Sequence, residues 1–198
     1  MTENTTIFKS KISKEELNEL PMQAFSGDLY LIDNEKDTYN ILSHIKKEKV
    51  LGFDTETRPV FVKGRYNHVA LLQLATENEA FLFRLKNRQI VKIISEILSN
   101  ENIVKAGVAI RDDIKALRKL HNFEPRGFVE LQTFVNDFGI EDAGLRKLAG
   151  NVLGFRISKT ERISNWEKTE LTKSQLKYAA TDAWVGYKIY KTLLDTRN

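Results

Sequence analysis

Three short strand-like runs follow one another in the first half of the chain: Val50-Leu-Gly-Phe-Asp54, Val69-Ala-Leu-Leu-Gln-Leu74 and Ala80-Phe-Leu-Phe83. Apolar runs this short, bounded by polar segments, suit buried strands better than helices. The last two are separated by the polar turn Thr76-Glu-Asn-Glu79, so they are expected to pair as a hairpin. Residues 28–33 read as a further strand. Residues 35–48 carry Tyr39, Leu42 and Ile45 at helical spacing, and residues 88–99 put Ile90, Ile93, Ile94 and Ile97 on one helical face. Ile103-Val-Lys-Ala106 reads as a short strand leading into a helix at about 111–121, and Phe128-Val-Glu-Leu131 as one more strand. The remainder is largely helical. Strands first, then strands alternating with helices, indicate an α/β fold with a mixed sheet. Ahead of it, Ser13-x-x-Glu16 is a capping box for a short helix that stops at Pro21. Residues 1–27 are therefore read as an N-terminal arm and residues 28–198 as one domain.

The first signal with chemistry in it is Phe53-Asp54-Thr55-Glu56. On a strand, positions i and i+2 face the same way, so Asp54 and Glu56 project together. That spacing alone decides nothing. Asp33/Glu35, Glu35/Asp37 and Glu77/Glu79 share it. Position is what distinguishes Asp54 and Glu56: they end an apolar run, and sites in open α/β sheets sit at strand ends. The second signal is Tyr178-Ala-Ala-Thr-Asp182, inside a helix that Thr172-x-x-Gln175 opens with a capping box and that runs from near 173 to about 195. Tyr178 and Asp182 are one turn apart on one face. Small residues beside them allow this helix to approach a sheet closely. The third is Arg111-Asp-Asp-Ile114, carboxylates at the start of a helix that follows a strand. Cys is absent, which removes disulfides, thiolate-bound zinc and thiol catalysis, and the three His lie far apart. Oxygen-only ligands such as Asp54, Glu56, Asp113 and Asp182 suit Mg²⁺ or Mn²⁺, and two such ions make the site of phosphoryl-transfer enzymes.

Phe-Asp-Thr-Glu-Thr (53–57), Arg-Asp-Asp-Ile-x-x-Leu (111–117) and Tyr-Ala-Ala-Thr-Asp (178–182), in that order, resemble the three motifs of DnaQ-like 3′–5′ exonucleases, in the branch with Tyr in the third motif (DEDDy). Val-Ala-Leu-Leu-Gln-Leu (69–74), Ser-Asn-Trp (164–166) and Leu-Thr-x-x-Gln (171–175) are similar to Werner-type exonuclease domains and to ribonuclease D. The resemblance covers about residues 28–197. It implies a ribonuclease H-like fold, a mixed five-stranded sheet with helices on both faces. It implies that Asp54, Glu56, Asp113 and Asp182 bind two Mg²⁺ or Mn²⁺ ions, and that Tyr178 positions the attacking water. Backbone near Thr55 is expected to hold the terminal 3′ hydroxyl. Asp113 fits the motif better than its neighbour Asp112, because an apolar residue follows it and Leu117 lies at the matching distance. Asp112 is the second choice.

The implied reaction is hydrolysis of a terminal phosphodiester, releasing nucleoside 5′-monophosphates from a nucleic acid with a free 3′ end. The formal net charge of +4 permits such a polyanionic partner. Candidate contacts are Lys63, Arg65 and His68, then Arg111, then Arg156, Lys159 and Arg162, with Trp166 as a stacking surface. Lys159 and Arg162 stand out because Werner-type domains carry basic residues in the same segment. DNA is the expected substrate and a ribonuclease D-like action on RNA the alternative, since the helical domain often attached to ribonuclease D does not follow residue 198. A non-catalytic nucleic-acid-binding module is disfavoured by the presence of all four carboxylates and Tyr178. A phosphate-loop protein is excluded, because Gly139-x-x-x-x-Gly144 is followed by Leu145-Arg146. No stretch reaches the roughly eighteen apolar residues of a membrane span. The first residues lack the layout of a secretory leader, so the expected location is cytoplasmic.

Overall fold

The computed structural model describes residues 8–60, 64 and 66–197. Its strands are β1 (Asp28–Ile32), β2 (Val50–Thr57), β3 (Val69–Ala75), β4 (Glu79–Arg84), β5 (Val104–Gly107) and β6 (Phe128–Glu130). They form one sheet in the order β1-β4-β3-β2-β5-β6. β3 runs antiparallel to β2 and β4, whereas β1–β4, β2–β5 and β5–β6 pair in parallel. The expected hairpin is β3–β4. The five-stranded sheet that the resemblance implies is corrected to six. β6 pairs Phe128 with Lys105 and Glu130 with Gly107, which covers the main-chain donors and acceptors that β5 would leave at an open edge.

The helices are α1 (Lys14–Glu19), α2 (Glu35–Ile45), α3 (Arg88–Leu98), α4 (Ile110–Leu120), α5 (Leu131–Phe134), α6 (Leu145–Leu148) and α7 (Lys173–Asp195). The period-2 alternation of the central strands sorts them into two layers. Phe53, Leu72, Leu74, Phe81 and Phe83 pack with apolar residues of α2, α3 and α4 on one face. Leu71, Leu82, Ala75 and Ala80 pack under the alanines of α7 on the other. The far half of α7 and the segment 131–157 close a third cluster over Ala106. β3 is buried along its whole length, as a strand covered on both faces must be. In α2 the buried positions are Thr38, Leu42 and Ile45, while Tyr39 turns outward at 61% exposure.

Residues 8–27 lie against the α7 side of the molecule. Ile12, Leu17 and Phe25 are buried. The Ile12 N–H donates to Asp142 Oδ2 at 2.7 Å, and the Phe25 N–H to Thr181 Oγ1 at 3.0 Å. The capping box at Ser13 and Glu16 is formed, and α1 ends at Glu19, with Leu20 as an extended C-cap just before Pro21. Thr172 and Gln175 form the second capping box and start α7 at Lys173. That helix is the element that carries the third motif to the sheet.

Candidate active site

β2 brings two of the acidic groups. Asp54 and Glu56 share the face that looks at α7, and Asp54 stands opposite Gln73 of β3. α7 can come close because Gly52 has no side chain and Ala179, Ala180 and Ala183 are small; all three alanines are fully buried. This approach delivers Asp182. One oxygen from each of Asp54, Glu56 and Asp182 can be chosen so that all lie within 4.8 Å of one another. Tyr178, one helical turn before Asp182, lines the same cavity of about 260 Å³, together with Val108, Leu145 and Arg162.

Asp113 arrives from the opposite layer. It sits in the first turns of α4, and its Oδ1 accepts a 2.5 Å hydrogen bond from the Thr55 hydroxyl. Thr55 alternates with Asp54 and Glu56, so its side chain lies on the α4 side of β2. Asp113 is therefore tied to the strand from below while the other three gather above. Its charge still reaches Asp54 and Glu56. Asp112 points to solvent and pairs with Lys115 at 3.2 Å.

Burial and mutual repulsion dominate the electrostatics. Burial first, then the charges of Asp182 and Asp113, pushes the Asp54 carboxyl well above the ordinary carboxylate range. Glu56 is pushed up to about 10 by burial and by Asp54, Asp182 and Asp113. Asp182 is raised to about 7 by burial, with the Tyr178 hydroxyl and the Arg146 guanidinium pulling it partway back. Asp113 is raised by burial as well, against the hydrogen bond from Thr55. None of these four carboxylates forms an ion pair among the described residues. Converging carboxylate oxygens that give up their protons only when a cation offsets their repulsion are the donor set of a hard divalent metal ion, so the residues present fit Mg²⁺ or Mn²⁺. Burial, with Asp182 and Glu56 nearby, also raises the Tyr178 phenol, so it keeps its proton at neutral pH.

A second cavity of about 490 Å³ opens from Tyr178 and Asp182 and is walled by Arg146, Lys159, Arg162 and Gln132. Lys159 and Arg162 thus stand at the site, and Arg162 lines both cavities. Arg111 is exposed on α4 and lines neither. Arg156 donates to Leu20 O at 3.0 Å and holds residues 20–23 in place. His68 is exposed, and Lys63 and Arg65 lie outside the described residues. Trp166 is corrected from a stacking surface to a core residue. It is fully buried among Ala70, Leu71, Ala179 and Ala180, with its ring 6.1 Å from that of Tyr178. No base can reach it; it backs the Tyr178 ring instead. Sequence reasoning missed Arg146, whose Nε donates to Ile157 O at 3.1 Å, because only the packing of α6 brings it to the cavity.

Comparison with known proteins agrees with this geometry. Residues 30–196 match the family model described as 3′–5′ exonuclease. The chain is 32% identical over 184 residues to the mouse bifunctional 3′-5′ exonuclease/ATP-dependent helicase WRN, which covers 88% of this chain and 13% of that protein. It is 35% identical over 155 residues to the Drosophila melanogaster exonuclease 3′-5′ domain-containing protein 2, covering 76% and 26%. The chain thus spans about a quarter or less of these relatives. Among solved structures, the Aedes aegypti Nibbler EXO domain superposes with a TM-score of 0.77 at 24% identity, covering 87% of this chain and 91% of that one. Escherichia coli RNase D gives 0.73 at 20%, covering 86% and 45%. These two likenesses establish the fold, which is that of the ribonuclease H-like exonucleases.

Proposed function

This chain belongs to the 3′–5′ exonuclease family, and from that premise we propose that it hydrolyses the terminal phosphodiester of a nucleic acid, with two divalent cations in its carboxylate cluster. The observation that carries the proposal is the meeting of Asp54, Glu56 and Asp182 within 4.8 Å, in a cavity shared with Tyr178. Asp54, Glu56 and Asp182 would hold the metal, with Asp113 and Thr55 completing the site from the α4 side. Bound there, divalent cations supply a water of lowered pKa and offset charge on the leaving 3′ oxygen. The protein's own groups do the positioning. Tyr178, one helical turn from Asp182 in the same cavity, orients the attacking water by hydrogen bonding. The water oxygen bonds to phosphorus, the P–O3′ bond breaks, and the freed 3′ oxygen takes a proton, releasing a nucleoside 5′-monophosphate. Arg162, Lys159 and Arg146 face the phosphates from the adjoining cavity.

DNA is the first substrate in this reading and RNA the second. The second is kept because one structure of similar fold, Trypanosoma brucei RNase D, is a complex with RNA U12. Matched 5′-labelled DNA and RNA oligonucleotides, digested with Mg²⁺ or Mn²⁺ and with chelator, test both statements. A ladder shortening from the 3′ end that vanishes with chelator is expected. Activity that survives chelation defeats the cation reading, and faster loss of RNA defeats the DNA preference.

Two variants probe individual roles. Tyr178→Phe should lower kcat by roughly 10²-fold, the size of a lost proton-transfer or water-orienting contact. Mn²⁺ binding should be unchanged; a matching loss of Mn²⁺ affinity would make Tyr178 a prop for the ligands instead. Lys159→Ala and Arg162→Ala should each flatten the dependence of log K on log salt by about 0.7–0.9, the signature of one phosphate contact. An unchanged slope removes that residue from the phosphate path.

A further inference from the structure

We propose that Glu130 is a positioning residue for Asp113: its carboxylate holds the strained turn between β5 and α4 that sets Asp113 against Thr55, on the α4 side of β2 between the strand positions of Asp54 and Glu56. The proposal rests on the cation-site reading above. Ala109, at this turn, has φ 60° and ψ 32°, and it is the only non-glycine residue with positive φ among the described residues. A left-handed alanine persists only where its surroundings over-determine it, and such residues gather at functional sites. Its surroundings here are Glu130. The Ala109 N–H donates to Glu130 Oε1 and the Ile110 N–H to Oε2, both at 2.9 Å, and Gln132 N–H adds a 3.1 Å bond to Oε1. Ala109 offers α4 no side-chain cap, so the cap is supplied from another strand by a full charge. Two residues earlier the strand end has no room for a side chain, because a Cβ on Gly107 would lie 2.4 Å from Phe53 O and 2.6 Å from Ile110 Cγ2.

Asp113 lies three residues past Ile110, so the direction of the first turn of α4 decides where its carboxylate points. Thr55 then fixes the far end by its bond to Oδ1. Glu130 lines neither cavity, which separates it from substrate contact. A helix that only needed a cap could carry Ser, Asn or Asp at position 109. Here the chain instead keeps a strained alanine and clamps it with a carboxylate from β6.

The test is Mn²⁺ binding to metal-free protein, followed by electron paramagnetic resonance at a temperature where each variant is fully folded, with kcat and KM read in parallel. Glu130→Gln is expected to weaken Mn²⁺ binding and to lower kcat by roughly 10–100-fold, the usual effect of losing a group that orients a ligand, with KM within about twofold. Glu130→Asp, which keeps the charge on a shorter arm, should fall between the two and serves if Glu130→Gln does not fold. Adding Ala109→Gly should recover part of the Mn²⁺ affinity, because glycine adopts the left-handed turn unaided. In an Asp113→Asn background, Glu130→Gln should cost nothing further. Folded Glu130→Gln with wild-type Mn²⁺ affinity overturns the proposal, as does an undiminished effect in the Asp113→Asn background. Wild-type protein that binds no Mn²⁺ overturns the underlying cation site as well, which distinguishes the two failures.

Discussion

Asp54→Asn should abolish nuclease activity, by at least roughly 10³-fold, and at the same time make the metal-free protein harder to unfold. The first effect follows from the several kcal/mol that a bound metal contributes to transition-state charge, at about 1.4 kcal/mol per factor of ten. The second follows from burial and crowding. The cluster's carboxyls are raised in the folded state, Asp182 to about 7 and Glu56 to about 10, against ordinary values of 3.8 and 4.5. Between those limits the folded chain holds protons that the unfolded chain has released. Stability is therefore fully present below about pH 4 as far as these groups are concerned, and it falls as pH rises through 7 and on towards 10. In chelator, the melting temperature should decline over that window and the decline should flatten when Mg²⁺ or Mn²⁺ is added. Asn at position 54 removes one of the repelling charges; about 1 kcal/mol of relief corresponds to a rise of roughly 2–4 °C in a chain of this size. A pH-independent melting temperature in chelator, or an Asn variant less stable than wild type at pH 8, would refute the uncompensated-charge account. Active Asp54→Asn protein would refute the site.

Gly52→Ala should be the most damaging single-methyl change on β2. A Cβ built there falls 1.8 Å from Ala183 O and 2.8 Å from Tyr187 N, both backbone atoms of α7 that cannot rotate away. Relief requires α7 to move off the sheet. Overpacking of this kind costs about 1–3 kcal/mol or somewhat more, and the upper figure corresponds to a fall of roughly 6–12 °C in melting temperature. Activity should fall further than stability does. α7 carries Tyr178 and Asp182, and a shift on the order of 1 Å in reacting groups costs about 10²-fold. Thermal unfolding and single-turnover digestion of the folded variant check both parts. Wild-type turnover in a destabilised variant would show that the approach of α7 matters only for packing.

These expectations show where local sequence suffices. The strands on either side of Thr76–Glu79, the isoleucine face of α3 and the capping boxes at Ser13 and Thr172 are written in short-range patterns, and the structure contains each of them. Hydrophobic period and caps act within a few residues, so a single pass along the chain finds them. Trp166 shows the opposite case. An aromatic next to basic residues reads equally well as a stacking surface or as core, and only the packing of α7 against β3 and β4 decided for the core. Lys105 is similar: nothing in Ile103-Val-Lys-Ala106 distinguishes a solvated lysine from the fully buried one observed, whose Nζ donates to Asn100 O and Ile103 O at 2.6 and 2.8 Å.

The sequence by itself determined the α/β class, the strand end that carries Asp54 and Glu56, and the helix that carries Tyr178 and Asp182. It could do so because strand and helix periods assign faces before any tertiary contact forms. Tertiary structure alone decided how those faces meet. It set Asp54, Glu56 and Asp182 together above β2, turned Asp113 inward and Asp112 outward, brought Arg146 to the cavity, and clamped Ala109 with Glu130. The meeting of Asp54 and Glu56 with Asp182 depends on how closely α7 approaches the sheet, which Gly52 permits, and the places of Asp113 and Ala109 depend on how α4 and β6 pack beside β2 and β5.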